Sequence, residues 1–219
     1  MEINPASLAN LALFAGIGEE DTDRILRCLS PRRALYGKGE YIMRGGETPD
    51  KLGMIVSGSA LLFSDDRRGN RNIILLARAG STLGWPCAAL PGAPEINAAA
   101  NEDSVVLWIA AEKLGCSAFA QCRSHGAFLL NLLSCASARE RALTEKISHM
   151  GRRTTRQKLL AYLASQAAEH GCAEFDIPFS RQQLADYLFV DRSAMSAELS
   201  ALRREGIIQC DRSHFKLLR

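Results

Sequence analysis

Histidine is scarce in this 219-residue chain, and where it is missing matters more than its count. His125, His149, His170 and His214 all lie outside residues 32–112. That stretch lacks the imidazoles that a metal-dependent barrel enzyme would use as ligands. Cations are missing from a narrower window: no Arg or Lys occurs between Arg78 and Lys113. A buried phosphodiester would find no counter-charge there. No apolar run approaches the roughly 18–20 residues that span a bilayer. The opening residues, MEINPASLANLALFAGIGEEDTD, carry no basic segment ahead of their short apolar patch, which makes a poor export signal. The seven cysteines (Cys28, Cys87, Cys116, Cys122, Cys135, Cys172 and Cys210) are scattered and odd in number. They read as reduced thiols, not as a disulfide frame. These absences predict a cytoplasmic protein with no membrane contact.

What is present supports a folded core: 47% of residues are hydrophobic and 23% charged. The length suits one large domain or two modest ones. Residues 1–150 hold 16 Lys+Arg against 16 Asp+Glu, whereas residues 151–219 hold 11 against 8. The whole surplus of +3 therefore sits in the last third, a mild footprint for an anionic partner.

Residues 5–29 suggest short helices, with Leu8, Leu11 and Phe14 on one apolar stripe and Ile25, Leu26 and Leu29 on another. From Arg32 to about Ile109 the texture changes. The runs EYIM, KLGMIVSG, SALLF, NIILLA and SVVLWIA are separated by Gly, Pro, Asn and Asp. This pattern predicts an antiparallel sheet or barrel, with the DRRGN stretch from Asp66 to Asn70 as a hairpin tip. Such barrels serve either as a stable fold alone or as a container for a small ligand. From Ser124 to Met150 the pattern is helical. One heptad row holds Leu129, Ala136, Leu143 and Met150, and the other holds Leu133, Glu140 and Ile147. Apart from Glu140 the seam is apolar, and a parallel dimer is the economical account of it.

Gly151 and the basic RRTTR read as a hinge. Thr154 and Gln157 form a capping-box pair that opens a helix ending at Gly171. EFDIPF follows as a short strand. Ser180 with Gln183 is a second capping box, opening a helix that buries Leu184 and Leu188, with Val190 beyond the break. Asp191 caps a further helix, whose inner face is expected to hold Ala194, Leu199 and Leu202 with Met195. Its opposite face carries Arg192, Ser193, Ser196, Ala197 and Arg203. Short side chains let a helix enter the DNA major groove, and Arg forks onto a guanine edge. An ordinary helical hairpin with a solvated face is the competing reading. GIIQC, DRSH and FKLLR read as strand, turn and strand, a β-hairpin wing.

This order of elements, with KGEYIMRGGETPDKLGMIVSGSALLF in the first half and RRTTRQKLLAYL and SRQQLADYLFVDRSAMSAELSALRREGII in the second, resembles the bacterial Crp/Fnr superfamily of transcription regulators. The resemblance covers nearly the whole chain. It implies an α+β chain with a β-roll of the cyclic-nucleotide-binding type and N-terminal helices over residues 1–112. A dimerisation helix and its lead-in would follow over 113–150, and a winged helix-turn-helix over 151–219. The implied protein is not an enzyme but a homodimer held through residues 124–150. It would read a near-palindromic DNA operator and work with RNA polymerase. Reading positions fall on Arg192, Ser193 and Ser196. Ala197 stands where many relatives have a base-reading Arg, which removes a guanine contact worth about 1–3 kcal/mol of discrimination and predicts an unusual operator. Arg181, Gln182, Arg203, His214 and Lys216 are candidate phosphate contacts, and each is equally readable as solvent-facing polarity.

Cyclic-nucleotide members carry Gly-Glu and, about ten residues later, Arg-Ser or Arg-Thr. Here Gly84 precedes Trp85-Pro86, and Glu95-Ile96-Asn97-Ala98 stands in place of the Arg. Cyclic AMP is therefore rejected as the effector. An iron–sulfur centre is rejected too, because Cys28 is alone near the N-terminus. A lipophilic or aromatic effector near Leu83, Trp85 and Cys87 remains open, as does a ligand-free regulator. A third option is a haem-, metal- or thiol-based sensor using Cys116, Cys122 and His125, whose C-x5-C-x2-H spacing places soft ligands together. The competing reading of those cysteines is small apolar filler. A cupin-like barrel enzyme is the alternative of a different class, and the missing histidines speak against it.

Overall fold

A computed structural model describes residues 8–47, 50–84 and 95–218. After a 3-10 turn at Ala12–Phe14, α1 runs over Glu19–Leu29. Its first turn holds Glu19, Glu20 and Asp21, whose charge suits the positive helix start. Thr22, Ile25 and Leu29 form its buried stripe. Eight strands follow: β1 (Arg32–Tyr36), β2 (Tyr41–Met43), β3 (Lys51–Ser57), β4 (Ser59–Asp65), β5 (Arg71–Arg78), β6 (Thr82–Leu83), β7 (Asn97–Ala100) and β8 (Ser104–Ala110). Short helices α2 (Ala111–Leu114) and α3 (Ser117–Ala120) lead to the long α4 (His125–Met150). Then come α5 (Thr155–His170), β9 (Glu174–Asp176), α6 (Arg181–Leu188), α7 (Arg192–Arg204), β10 (Ile208–Asp211) and β11 (His214–Leu217).

The strands form sheets in the orders β1-β8-β3-β6, β2-β7-β4-β5 and β10-β11-β9. The contacts cluster into two units. The first comprises residues 1–64 and 75–141, the second residues 65–74 and 142–219.

In the first unit, period-two alternation decides the packing. Leu52 pairs with Ile109 and Met54 with Leu107 across β3 and β8. These four share one face and pack with Leu13, Phe14, Ile25, Leu29, Phe119 and Phe128. Gly53 and Trp108, opposite each other in the same register, take the other face. A Cβ on Gly53 would stand 2.8 Å from the Trp108 ring, so the glycine lets the indole lie against the strand. The DRRGN hairpin tip forms as expected, with the Asp66 N–H donating to the Asn70 carbonyl and Gly69 at φ 82°. Strands β1 and β7 lie in stretches whose composition does not announce them. NAAA in β7 has no β-branched residue, yet Ala98, Ala99 and Ala100 are buried. Small size at a crowded position outweighs propensity there.

The second unit is built around Leu159, Leu163, Leu184, Leu188, Met195, Leu199, Leu202, Ile208 and Phe215, all buried. Ser180 and Gln183 cap α6 reciprocally, as the motif predicts. The Thr154 cap is one-sided: its hydroxyl accepts from the Gln157 N–H, and no return bond is made. The EFDIPF stretch is strand only through Asp176, two residues ahead of Pro178. Ala194 departs from expectation. It is exposed, and the buried stripe of α7 is Met195, Leu199 and Leu202. Spacing of four and three keeps these on one side of the helix, whereas residue 194 is turned about 100° away.

Helix α4 carries the expected seam residues at mixed exposure. Leu133, Glu140 and Ile147 are exposed, as one heptad row requires. Of the expected companion row, Leu129 is 37% exposed, whereas Ala136, Leu143 and Met150 are half-buried. The exposed companion positions are Leu130, Ser137 and Thr144. Leu130 is 66%, Leu133 62% and Ile147 70% exposed, so three large apolar side chains stand without a partner in the single chain.

Candidate nucleic-acid interface

Asp191 sets the start of α7. Its carboxylate accepts from the Ala194 N–H at 2.9 Å and from the Ser193 hydroxyl. The Ser193 bond, then the Ala194 amide, hold this carboxyl below its ordinary range, so it stays ionised at the positive helix end. Arg192, Ser193, Ser196, Ala197 and Arg203 are all exposed. Ser193, Ser196 and Ala197 turn away from Met195, Leu199 and Leu202, while Arg192 and Arg203 flank that buried row. The Ser196 hydroxyl donates to the Arg192 carbonyl at 2.8 Å, so its side chain lies close along the helix. The result is a low-profile outer face with a cation at its first residue.

The flanking candidates divide. Gln182 is exposed and donates to Asp186 at 2.7 Å. Arg181 is half-buried with its guanidinium 4.9 Å from the Phe215 ring centre, and its buried Nη1 has no hydrogen-bond partner among the described residues. In the wing, His214 sits between two carboxylates, Asp176 at 3.1 Å and Glu174 at 3.2 Å. Glu174 and then Asp176 raise the His214 pKa above the ordinary imidazole value. Lys216 pairs with the same Glu174 at 2.7 Å, and this contact is the main cause of that carboxyl's lowered pKa. Both wing cations thus already have anionic partners, which sequence reading missed because the acids lie about 40 residues upstream on β9. Glu205 pairs with Arg156, and the Arg204 Nε donates to the Ser200 carbonyl at 3.4 Å.

In the first unit the soft-ligand trio does not converge. No group of three or more His, Cys, Asp or Glu residues suited to a metal ion occurs among the described residues. The physical reason lies in α3, which fills the spacer of C-x5-C-x2-H. Cys116 and Cys122 pack against the apolar core, while the His125 ring meets the Phe119 ring edge-on at 4.7 Å. Of the effector candidates, Trp85 and Cys87 lie outside the described residues, and Leu83 is fully buried. Beside Gly84 a cleft of about 830 Å³ is lined by Tyr36, Met43, Arg44, Lys51 and Trp108 among others. Trp108 Nε1 donates to the Tyr36 hydroxyl at 3.0 Å. Sequence reading missed this cleft because β1 did not announce itself.

A winged helix-turn-helix, found in one chain with an antiparallel roll and a long helix, defines a DNA-binding transcription regulator. Comparison with known proteins agrees. Residues 157–219 match the family described as Crp-like helix-turn-helix domain, and residues 33–115 match the cyclic nucleotide-binding domain. The transcriptional activator FnrL of Cereibacter sphaeroides is 27% identical over 185 residues, covering 79% of this chain and 71% of the relative. Among solved structures, CLP of Xanthomonas campestris, described as c-di-GMP responsive, has a TM-score of 0.75 at 17% identity, over 91% of this chain and 99% of that one. A CooA variant of Carboxydothermus hydrogenoformans has a TM-score of 0.74 at 15% identity, over 100% of this chain and 93% of that one. These two likenesses show the shared fold. The chain belongs to the Crp/Fnr family of transcription regulators.

Proposed function

We propose that this regulator works as a cytoplasmic homodimer that reads a near-palindromic operator, acts with RNA polymerase, and responds to an effector other than a cyclic nucleotide. The observation that carries the reading is the exposed face of α7, where Arg192 is followed by Ser193, Ser196 and Ala197. Arg192 supplies the base contact, and Ala197 offers a methyl to thymine in place of a guanidinium. Gln182 and Arg203 contact phosphate at the groove edges, with Arg181 behind them. His214 and Lys216 reach phosphate only by trading their bonds to Glu174 and Asp176. The exposed side of α4 with Leu130, Leu133 and Ile147 seats a second copy, since large apolar side chains along a helix of this length are better buried than wet. The absence of any cation between Arg78 and Lys113 argues against a phosphodiester effector. The cleft beside Gly84, lined by Tyr36 and Trp108 with both cations (Arg44, Lys51) and carboxylates (Glu47, Asp50, Glu112), has room for a small organic molecule. Effector binding would act by favouring one arrangement of the two recognition helices.

The test is a salt-titrated mobility shift on the DNA upstream of the chain's own coding sequence. Binding at low salt is expected, and Arg192→Ala should weaken it about 10-fold or more, in line with a lost bidentate contact of about 1–3 kcal/mol. Equal binding by the two proteins would remove α7 as the reading element. Mass spectrometry and an absorption spectrum of the purified protein would reveal a bound organic effector, haem or metal.

A further inference from the structure

The tip of the β4–β5 hairpin is sequence that the helix-turn-helix reading leaves unused. Residues 65–74 nevertheless cluster with residues 142–219 in the second unit. We propose that this tip is an additional DNA-backbone contact, with Arg67 and Arg68 meeting phosphates beside the groove that α7 reads.

Three observations carry the proposal. First, the tip is fastened to the DNA-reading unit. Lys146 on α4 is only 5% exposed. Its ammonium donates to the Asn72 side chain at 2.8 Å and to the Ile73 carbonyl, and lies 5.3 Å from the centre of the Tyr187 ring on α6. A buried cation is costly to leave unpaired, so it holds the oxygens that satisfy it. Second, the tip is stiff. The Asp66 carboxylate accepts from the Arg68 and Asn70 N–H groups at 2.7 and 2.9 Å and from the Asn70 side chain at 2.8 Å. Third, the tip faces the start of the recognition helix. A cleft of about 580 Å³ has Asn70 and Arg71 on one wall and Gln182, Asp191 and Arg192 on the other.

The charges around this cleft are unevenly committed. Asp65 pairs with Arg71 at 3.0 Å, Asp66 serves its own loop, Asp186 accepts from Gln182 and Asp191 caps α7. Arg67 and Arg68 are exposed and form no ion pair among the described residues. They are stiffly presented cations beside the helix end that enters the groove. Contacts of this kind add affinity without sequence choice, and each one releases counterions from DNA.

The experiment measures binding of the full chain to a mixed-sequence duplex by fluorescence anisotropy across a salt series. Each phosphate contact contributes about 0.9 to the slope of log affinity against log salt. The double variant Arg67→Ser, Arg68→Ser should lower that slope by about two per bound chain, and Arg67→Lys, Arg68→Lys should restore most of it. Both positions are exposed and the loop is held by Asp66, so a circular dichroism spectrum matching the parent is expected. If the Ser variant keeps the parent's affinity and slope while Arg192→Ala weakens binding, the tip contact is overturned and the role of α7 stands.

Discussion

His149 shows how one residue brings pH into the stability of the second unit. It is 6% exposed, its Nδ1 lacks a hydrogen-bond partner among the described residues, and it packs on Tyr162 and Tyr187. Burial pushes its pKa down from the ordinary imidazole value near 6.5, with Glu145 opposing and Arg152 adding to the shift. The unfolded chain takes up the proton first, so acidification through and below pH 6.5 favours unfolding. The thermal midpoint should therefore fall more steeply between pH 7.5 and 5.5 in the parent than in His149→Leu, whose apolar side chain has no proton to gain. Parallel curves for the two proteins would show that His149 does not carry the effect. Lys146 lies one helical turn away and is shifted in the same sense, with burial lowering its pKa to about 8. Its window is higher: stability rises with pH between about 8 and the unfolded value near 10.5, where the folded state has already released the proton.

At the scale of an element, α4 shows how hydrophobicity and exposure along one helix can favour different rows. Leu129, Ala136, Leu143 and Met150 make the more apolar companion to Leu133 and Ile147, and a heptad reading picks them for the seam. Exposure divides that row, with Leu129 37% exposed. Ala136, Leu143 and Met150 are half-buried within the chain, which leaves Leu130, Ser137 and Thr144 outside. In the proposed homodimer, the small side chains of Ser137 and Thr144 would let a second helix approach closely, and Leu130, Leu133 and Ile147 would supply the apolar area. Burying that area against a second copy gains roughly 25 cal/mol per Å². On the proposed homodimer, Ile147→Glu puts a charge into the seam and should shift sedimentation from that of a dimer to that of a monomer. The same change should sharply weaken binding to a two-half-site operator. A variant that still sediments as a dimer would place the seam elsewhere.

At the scale of the whole molecule, the division into units does not follow the order of the chain. Residues 65–74 come from a hairpin of the roll, yet their contacts belong with the helix-turn-helix. Lys146 is the fastening that the structure supplies. Lys146→Ala removes its bonds to Asn72 and Ile73, so amide exchange over residues 70–74 should quicken in hydrogen-exchange mass spectrometry. Exchange over the buried core of α7 should stay close to that of the parent. Uniform quickening across the second unit would mean that Lys146 serves global stability instead of holding the hairpin.

The sequence by itself determined the elements whose cause is local. Capping at Ser180 and Asp191, the hairpin tip at Asp66–Asn70, the alternation in β3 and β8, and the wing each rest on neighbours within a few residues. The missing cations between Arg78 and Lys113 are likewise read from the chain directly. Only the tertiary structure decided what depends on residues far apart. It turned Ala194 outward, packed Cys116 and Cys122 against the apolar core, and gave His214 and Lys216 acidic partners on β9. It also seated a buried lysine on a hairpin 73 residues away. Spacing records which side of a helix or strand a residue occupies, whereas burial and pairing are set by what the rest of the chain brings to that side.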